Sequence, residues 1–161
     1  MPAKKNESEI DRIDAIILDL LQNDATVSLQ EISETVGLSP TPCWRRIQKL
    51  EKDGYIRQRV ALLDPEKLNV GVTVFVSIRT EHHNAAWFRK FTAVVTTIPQ
   101  IVEFYRMSGD VDYLLRVVVP DIKAYDAVYQ RLIREVELSD VSSSFAMEQI
   151  KYTTILPLDY A

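Results

Sequence analysis

Apolar residues recur at helical spacing from the start of the chain. Ile10, Ile13, Ile17, Leu20 and Leu21 share one face, which predicts an amphipathic helix over residues 7–23 with Asp11 and Asp14 on its outer side. The pattern restarts after Asn23-Asp24-Ala25-Thr26. Ser28 with Glu31 three residues on is a capping box: the serine accepts from a free backbone N–H and the glutamate reaches back to the serine's own N–H. A second helix is predicted from there to about Thr35. Gly37 supplies a turn, and Ser39-Pro40 caps and opens a third helix that Asp53-Gly54 ends. On that helix Cys43, Ile47 and Leu50 fall together and are predicted to pack on Ile32 and Val36. Residues 55–63 then change to period two and read as a strand, with Arg57 and Arg59 on one side.

The second half alternates strands with helices. Residues 70–80 are apolar at nearly every position, which suits a strand buried on both faces. Residues 85–98 read as a helix with Trp87, Phe88, Phe91, Val94 and Val95 inward, stopped by Pro99. Strands follow at 101–107 and 112–119, around a Ser108-Gly109-Asp110-Val111 turn. Asp121 caps a helix bearing Tyr125, Val128, Tyr129 and Leu132, and residues 141–155 read as the last strand. The order β-α-β-β-α-β is the ferredoxin-like pattern, four antiparallel strands with both helices on one face. The sheet residues Val74, Val76, Ile78, Val102, Phe104, Leu115 and Val117 are expected to form an open apolar face that a partner subunit covers. The fold class is therefore α+β: a winged helix-turn-helix of three helices plus strand in residues 1–64, then a ferredoxin-like domain in 65–161, divided at Asp64-Pro65.

Composition narrows the chemistry. Hydrophobic residues are 47% and charged residues 26% of the 161, an ordinary globular balance. No apolar run reaches membrane-spanning length, and the opening MPAKKNESE has no apolar core, so neither a membrane span nor a signal peptide is expected. One cysteine excludes an internal disulfide and fits a reducing cytoplasm. The net charge of −4 argues against a generic polyanion binder, so any positive potential must be local. It is local: Arg45, Arg46, Lys49, Lys52, Arg57 and Arg59 crowd against only Glu51 and Asp53. Thr41, Arg45, Gln48 and Lys52 lie opposite the apolar stripe of the third helix, with Trp44 on its flank. Guanidinium and amide groups can read base edges in a major groove, and the cations can seat on phosphates. The same charges also suit a solvated helical face. Cys43, beside Arg45 and Arg46, could be a reactive thiol, but its place on the inner stripe favours a packed one. His82 and His83 are adjacent and would point to opposite faces of a strand, so they make no metal site. No nucleophile–base arrangement, P-loop or Gly-rich nucleotide motif is present, and neither catalysis nor a cofactor is expected.

The spacing Asp11-x-x-Asp14-x-x-Ile17-Leu18-x-x-Leu21, then Ser28, Val36-Gly37-Leu38-Ser39, and Arg46-Ile47-x-x-Leu50-Glu51-x-x-Gly54-Tyr55-Ile56, resembles the N-terminal half of the Lrp/AsnC, or feast/famine, transcription regulators. The resemblance continues through Ser108-Gly109-Asp110-Val111-Asp112-Tyr113, Val119-Pro120-Asp121-Ile122 and Phe145-Ala146-Met147-Glu148. The chain departs from it at Thr26, where many members carry arginine, and at Val136-Glu137-Leu138-Ser139, which lacks their turn glycine.

The resemblance implies a cytoplasmic, nucleoid-associated regulator that binds double-stranded DNA through Ser39, Thr41, Trp44, Arg45, Arg46, Gln48, Lys49, Lys52, Arg57 and Arg59. It implies a homo-oligomer, dimers assembling to a tetramer or octamer, that holds a free amino acid between dimers at Gly109, Asp112, Ile122, Ser144, Phe145 and Ala146. Thr41-Pro42-Cys43-Trp44 and residues 142–151 resemble a subgroup tied to cysteine response; the Pro-Cys step also resembles leucine-responsive members. The effector expected is thus cysteine, or leucine or another branched-chain amino acid. The rival class is an enzyme-regulatory subunit that binds a small molecule on its ferredoxin-like half and docks a protein through its helices.

Overall fold

The structure, a computed structural model, describes residues 10–81 and 84–160. His82, His83 and the N-terminal MPAKKNESE stretch lie outside the described residues. The chain divides into two units, one reaching to Leu62 and joined by the segment from Lys151 onward, the other Leu63–Ile150.

In the first unit α1 spans Arg12–Asn23, α2 Leu29–Val36 and α3 Pro40–Lys52. Helix α1 starts at Arg12 because Asp11 is its N-cap: Asp11 accepts from the Asp14 N–H, and Asp14 accepts in turn from the Asp11 N–H. Asp11 therefore serves as a terminus and is not part of a longer helix that begins at residue 7. The Ser28–Glu31 box opens α2 as expected. Gly37 closes it in the left-handed region, φ 69°, and its N–H donates to carbonyls of the last turn. A Cβ there would meet nothing within 4 Å, so only backbone strain opposes one. Gly37→Ala is expected to cost about 1 kcal/mol in urea unfolding and Gly37→Asn less, since asparagine tolerates that region. Ser39 precedes α3 at the capping position, but its side chain makes no cap hydrogen bond, contrary to expectation. Ile17, Leu21, Ile32, Cys43, Ile47 and Leu50 form the buried core of the unit. Burial pushes the Cys43 thiol pKa up, which leaves it an inert packed group.

The expected strand over residues 55–63 does not form: residues 57–64 carry no regular secondary structure and pair with no strand. The ion pair of Arg59 with Glu51 fixes this segment to α3, with 3.1 Å between Nη2 and Oε1.

The second unit contains β1 (Val72–Arg79), α4 (Ala85–Thr96), β2 (Ile101–Arg106), β3 (Tyr113–Val119), α5 (Ile122–Glu135) and β4 (Asp140–Phe145). The strands form one antiparallel sheet in the order β2-β3-β1-β4, the ferredoxin-like topology. Trp87, Phe91 and Val95 of α4 and Tyr125, Val128 and Leu132 of α5 pack on it.

This packing corrects the face assignment. Val74, Val76, Ile78, Leu115 and Val117 are fully buried in that core, and Phe104 stacks edge-on to Phe91. The face away from the core carries Phe75, Ser77, Leu114, Ser144 and an Arg116–Glu103 ion pair, 2.6 Å between Nη2 and Oε1. Strand β1 is accordingly apolar and sealed on one side only, with Phe75 still 38% exposed. Strand β4 is also shorter than expected. It ends at Phe145, opposite Val74, and β1 begins only two residues beyond, at Val72. The chain past residue 150 joins the first unit, where Leu156 exchanges two hydrogen bonds with the Gln22 amide, 2.9 and 3.1 Å. The expected second domain of residues 65–161 thus loses its last stretch to the helical unit. No helix among the described residues is long and apolar enough to cross a membrane.

Candidate nucleic-acid interface and effector site

Helix α3 presents opposite sides to core and solvent. Thr41, Trp44, Arg45, Gln48, Lys49 and Lys52 are all exposed, as are Ser39 and, beyond the helix, Arg57 and Arg59. Their cationic groups are not equivalent. Arg46 turns back to α1, where one Nη1 nitrogen donates to Asp11 at 2.7 Å and Asp14 at 2.8 Å. Those carboxylates raise the Arg46 pKa, and the Asp14 N–H, then Arg46, hold the Asp11 carboxyl below its usual range. Arg46, expected on the nucleic-acid face, is therefore a tie between α1 and α3. Lys49 pairs with Asp53 one turn on, 2.8 Å, and Arg59 with Glu51. Arg45, Lys52 and Arg57 have no ion-pair partner among the described residues. They leave a positive edge that a polyanion can neutralise.

Beside that edge lies a cleft of about 290 Å³ lined by Val27, Leu29, Ile32, Trp44, Ile47, Gln48, Glu51 and Arg59. Trp44 is 52% exposed at its rim. Trp44, Gln48 and Glu51 follow one another at i, i+4 and i+7, so they stand in one row along α3.

The expected effector residues fall into two groups. Gly109, in the turn after β2 with φ 113°, and Asp112 sit at the end of the sheet where β1 finishes. The Asp112 carboxylate accepts from the Thr80 N–H at 2.9 Å, its own N–H donates to the Ile78 carbonyl, and its carbonyl accepts from Met107. Ile122, Ser144, Phe145 and Ala146 lie at the opposite end: Phe145 pairs with Val74, and Ala146 donates to the Thr73 carbonyl at 2.9 Å. Ile122 is 70% exposed on the first turn of α5. Tyr125 meets the Phe145 ring edge-on at 5.3 Å and shares a short hydrogen bond with Ser143. Burial raises the Tyr125 pKa, so its hydroxyl stays protonated. At about 3.3–3.4 Å per residue, the four or five residues of β1 between the groups span roughly 13–17 Å.

Comparison with known proteins agrees with this architecture across the chain. Residues 10–57 match the family profile described as winged helix-turn-helix DNA-binding, and residues 73–156 the one described as Lrp/AsnC ligand binding domain. The chain belongs to the Lrp/AsnC family.

Among its relatives is the DNA-binding transcriptional activator DecR of Escherichia coli (strain K12), 54% identical over 151 residues, which cover 93% of this chain and 99% of DecR. An AsnC family transcriptional regulator from Agrobacterium tumefaciens superposes with a TM-score of 0.90 at 66% identity, covering 94% of this chain and 99% of that one. A transcriptional regulator from Neisseria meningitidis, solved as an L-Met complex, gives 0.89 at 35% identity over 94% and 99%. The Lrp/AsnC chain described here is thus a DNA-binding transcription regulator with a ligand-binding domain, and its relatives are regulators, not enzymes. Two residues beside these groups were not singled out by the sequence: Glu51, legible as an acid among bases and as a position of the family motif, and Tyr125, legible only as a core aromatic.

Proposed function

We propose that α3 docks in the major groove of double-stranded DNA. Thr41, Trp44, Arg45 and Gln48 meet base edges, and Ser39, Lys52 and Arg57 seat on the backbone. Lys49 reaches DNA only by exchanging Asp53 for phosphate, whereas Arg59 meets DNA while still paired with Glu51. The observation that carries this reading is the division of cations on α3: some are already neutralised within the fold, and Arg45, Lys52 and Arg57 are left for another anion. We further propose that the second unit holds a free amino acid, with cysteine and leucine or another branched-chain residue as candidates. The L-Met complex of the Neisseria relative supports that ligand class. Asp112 would take the ammonium, backbone N–H groups of the Gly109 turn the carboxylate, and Ile122, Ser144, Phe145 and Ala146 the side chain. The two groups stand further apart than one amino acid reaches, which supports a site completed by a second chain. Effector binding then biases how dimers join into a tetramer or octamer, and with it the spacing of the DNA-reading helices. A cytoplasmic, nucleoid-associated location follows from that role.

The test is Arg45→Ala, measured against a duplex selected from a random-sequence pool by the full-length protein. Affinity is expected to fall roughly tenfold, as for one base-edge contact, with the melting temperature unchanged. Equal binding by variant and wild type would remove α3 from the interface.

A further inference from the structure

Glu51 stands among the groups assigned to DNA, although a carboxylate facing phosphates is repelled by them. Its two oxygens are both engaged. Oε2 accepts from the Gln48 side-chain amide at 2.9 Å, and Oε1 accepts from Arg59 at 3.1 Å. Gln48 and Arg59 are both long, exposed side chains with many rotamers of their own. Arg59 also sits in a segment that no strand ladder holds. One carboxylate therefore orders two potential DNA-contacting groups that belong to different parts of the chain. Its side chain is only 35% exposed, on the wall of the cleft beside Trp44.

We propose that Glu51 is a specificity-setting positioning residue: it holds the Gln48 amide and the Arg59 guanidinium in a fixed array against α3. The inference rests on α3 being the DNA-reading helix. A group ordered before binding loses less freedom on meeting its base, so the benefit goes to the matched sequence. The negative charge penalises every sequence alike. Glu51 thus weakens DNA binding in general and sharpens the choice between sequences.

The two effects have opposite signs in one experiment. The full-length protein is titrated with its selected duplex and with a random-sequence duplex, and the ratio of the two affinities is the readout. Glu51→Ala is expected to bind the random duplex as tightly as wild type or more so, and to lose roughly tenfold in the ratio, the scale of one good base-edge contact. Glu51→Gln keeps a carbonyl acceptor for one partner and is expected to recover part of the ratio. Arg59→Ala is expected to lose ratio too, and the Glu51→Ala/Arg59→Ala pair to lose less than the two single losses combined, because both act through one contact. An unchanged ratio in Glu51→Ala overturns the proposal. So does a fall in both affinities together with the melting temperature, which marks a purely structural ion pair. If wild type itself shows no selectivity, it is the DNA-reading assignment of α3 that fails; selectivity that survives in Glu51→Ala refutes the role of Glu51 alone.

Discussion

Arg46→Ala is expected to destabilise the helical unit by about 2 kcal/mol, read as a lower urea midpoint with unchanged slope. The size follows from where the three charges sit. Asp14 keeps only 14% of its side-chain surface exposed, against 32% for Arg46 and 51% for Asp11. Removing the guanidinium strands a largely covered carboxylate, which costs more than breaking a surface pair and less than breaking a fully buried one. The pH dependence carries a second signature. The Asp14 N–H, and after it Arg46, hold the Asp11 carboxyl below its usual range. A depressed carboxyl contributes stability that is fully present above its unfolded pKa, about 3.9, and is lost as pH falls through the folded value. The gap between wild type and variant should therefore narrow below about pH 4. At temperatures where both are folded, Arg46→Ala should keep the salt slope of DNA binding, whereas losing a phosphate contact lowers it by about 0.9. A lowered slope with unchanged stability would return Arg46 to the DNA face.

Arg46 also shows where reading by sequence runs out. Its stretch is basic, and local pattern places it with Arg45 and Lys49. Its partners lie 32 and 35 residues earlier, and no periodicity links them. Features set within one helical turn were legible: the Ser28–Glu31 box, the Gly37 cap, and the inner stripe of Cys43, Ile47 and Leu50. Strand order was legible too, because alternating elements admit few topologies. Which face of the sheet meets the helices was not. Both faces of β1 carry large apolar residues, Val74 and Val76 on one and Phe75 on the other, and period two cannot choose between them. Residues 146–155 misled for a related reason. Ile150, Tyr152 and Ile155 suit a strand, but β1 has no residues left to pair with them. The backbone instead finds Gln22, whose side-chain amide offers the donor and acceptor that a strand would have supplied. Of the effector residues, the turn at Gly109 and Asp112 was legible as a turn. The separation of that turn from Phe145 and Ala146 appears only once the strand register is known.

Asp112 is expected to give the largest effect on ligand binding, and its two roles can be separated. One role is structural: its carboxylate accepts the Thr80 N–H where β1 ends. The other is the proposed capture of an amino-acid ammonium, which needs the charge. Asparagine keeps an oxygen for Thr80 and loses the charge; alanine loses both. Asp112→Asn is therefore expected to melt like wild type, and Asp112→Ala to lose about 1–2 kcal/mol from the missing acceptor. A ligand that binds only the folded state raises its stability with concentration, so a thermal-shift series with each of the twenty amino acids reads the second role. Wild type is expected to respond to one or a few of them. Both variants should then need roughly 10- to 100-fold more ligand for the same shift, the cost of losing a charged partner. If Asp112→Asn responds as wild type does, the carboxylate only buttresses the turn and the ammonium is held elsewhere. If wild type ignores all twenty while still binding its selected duplex, the amino-acid assignment fails. The sheet unit would then act through assembly alone, and the exposed Phe75 face would be the surface to test next.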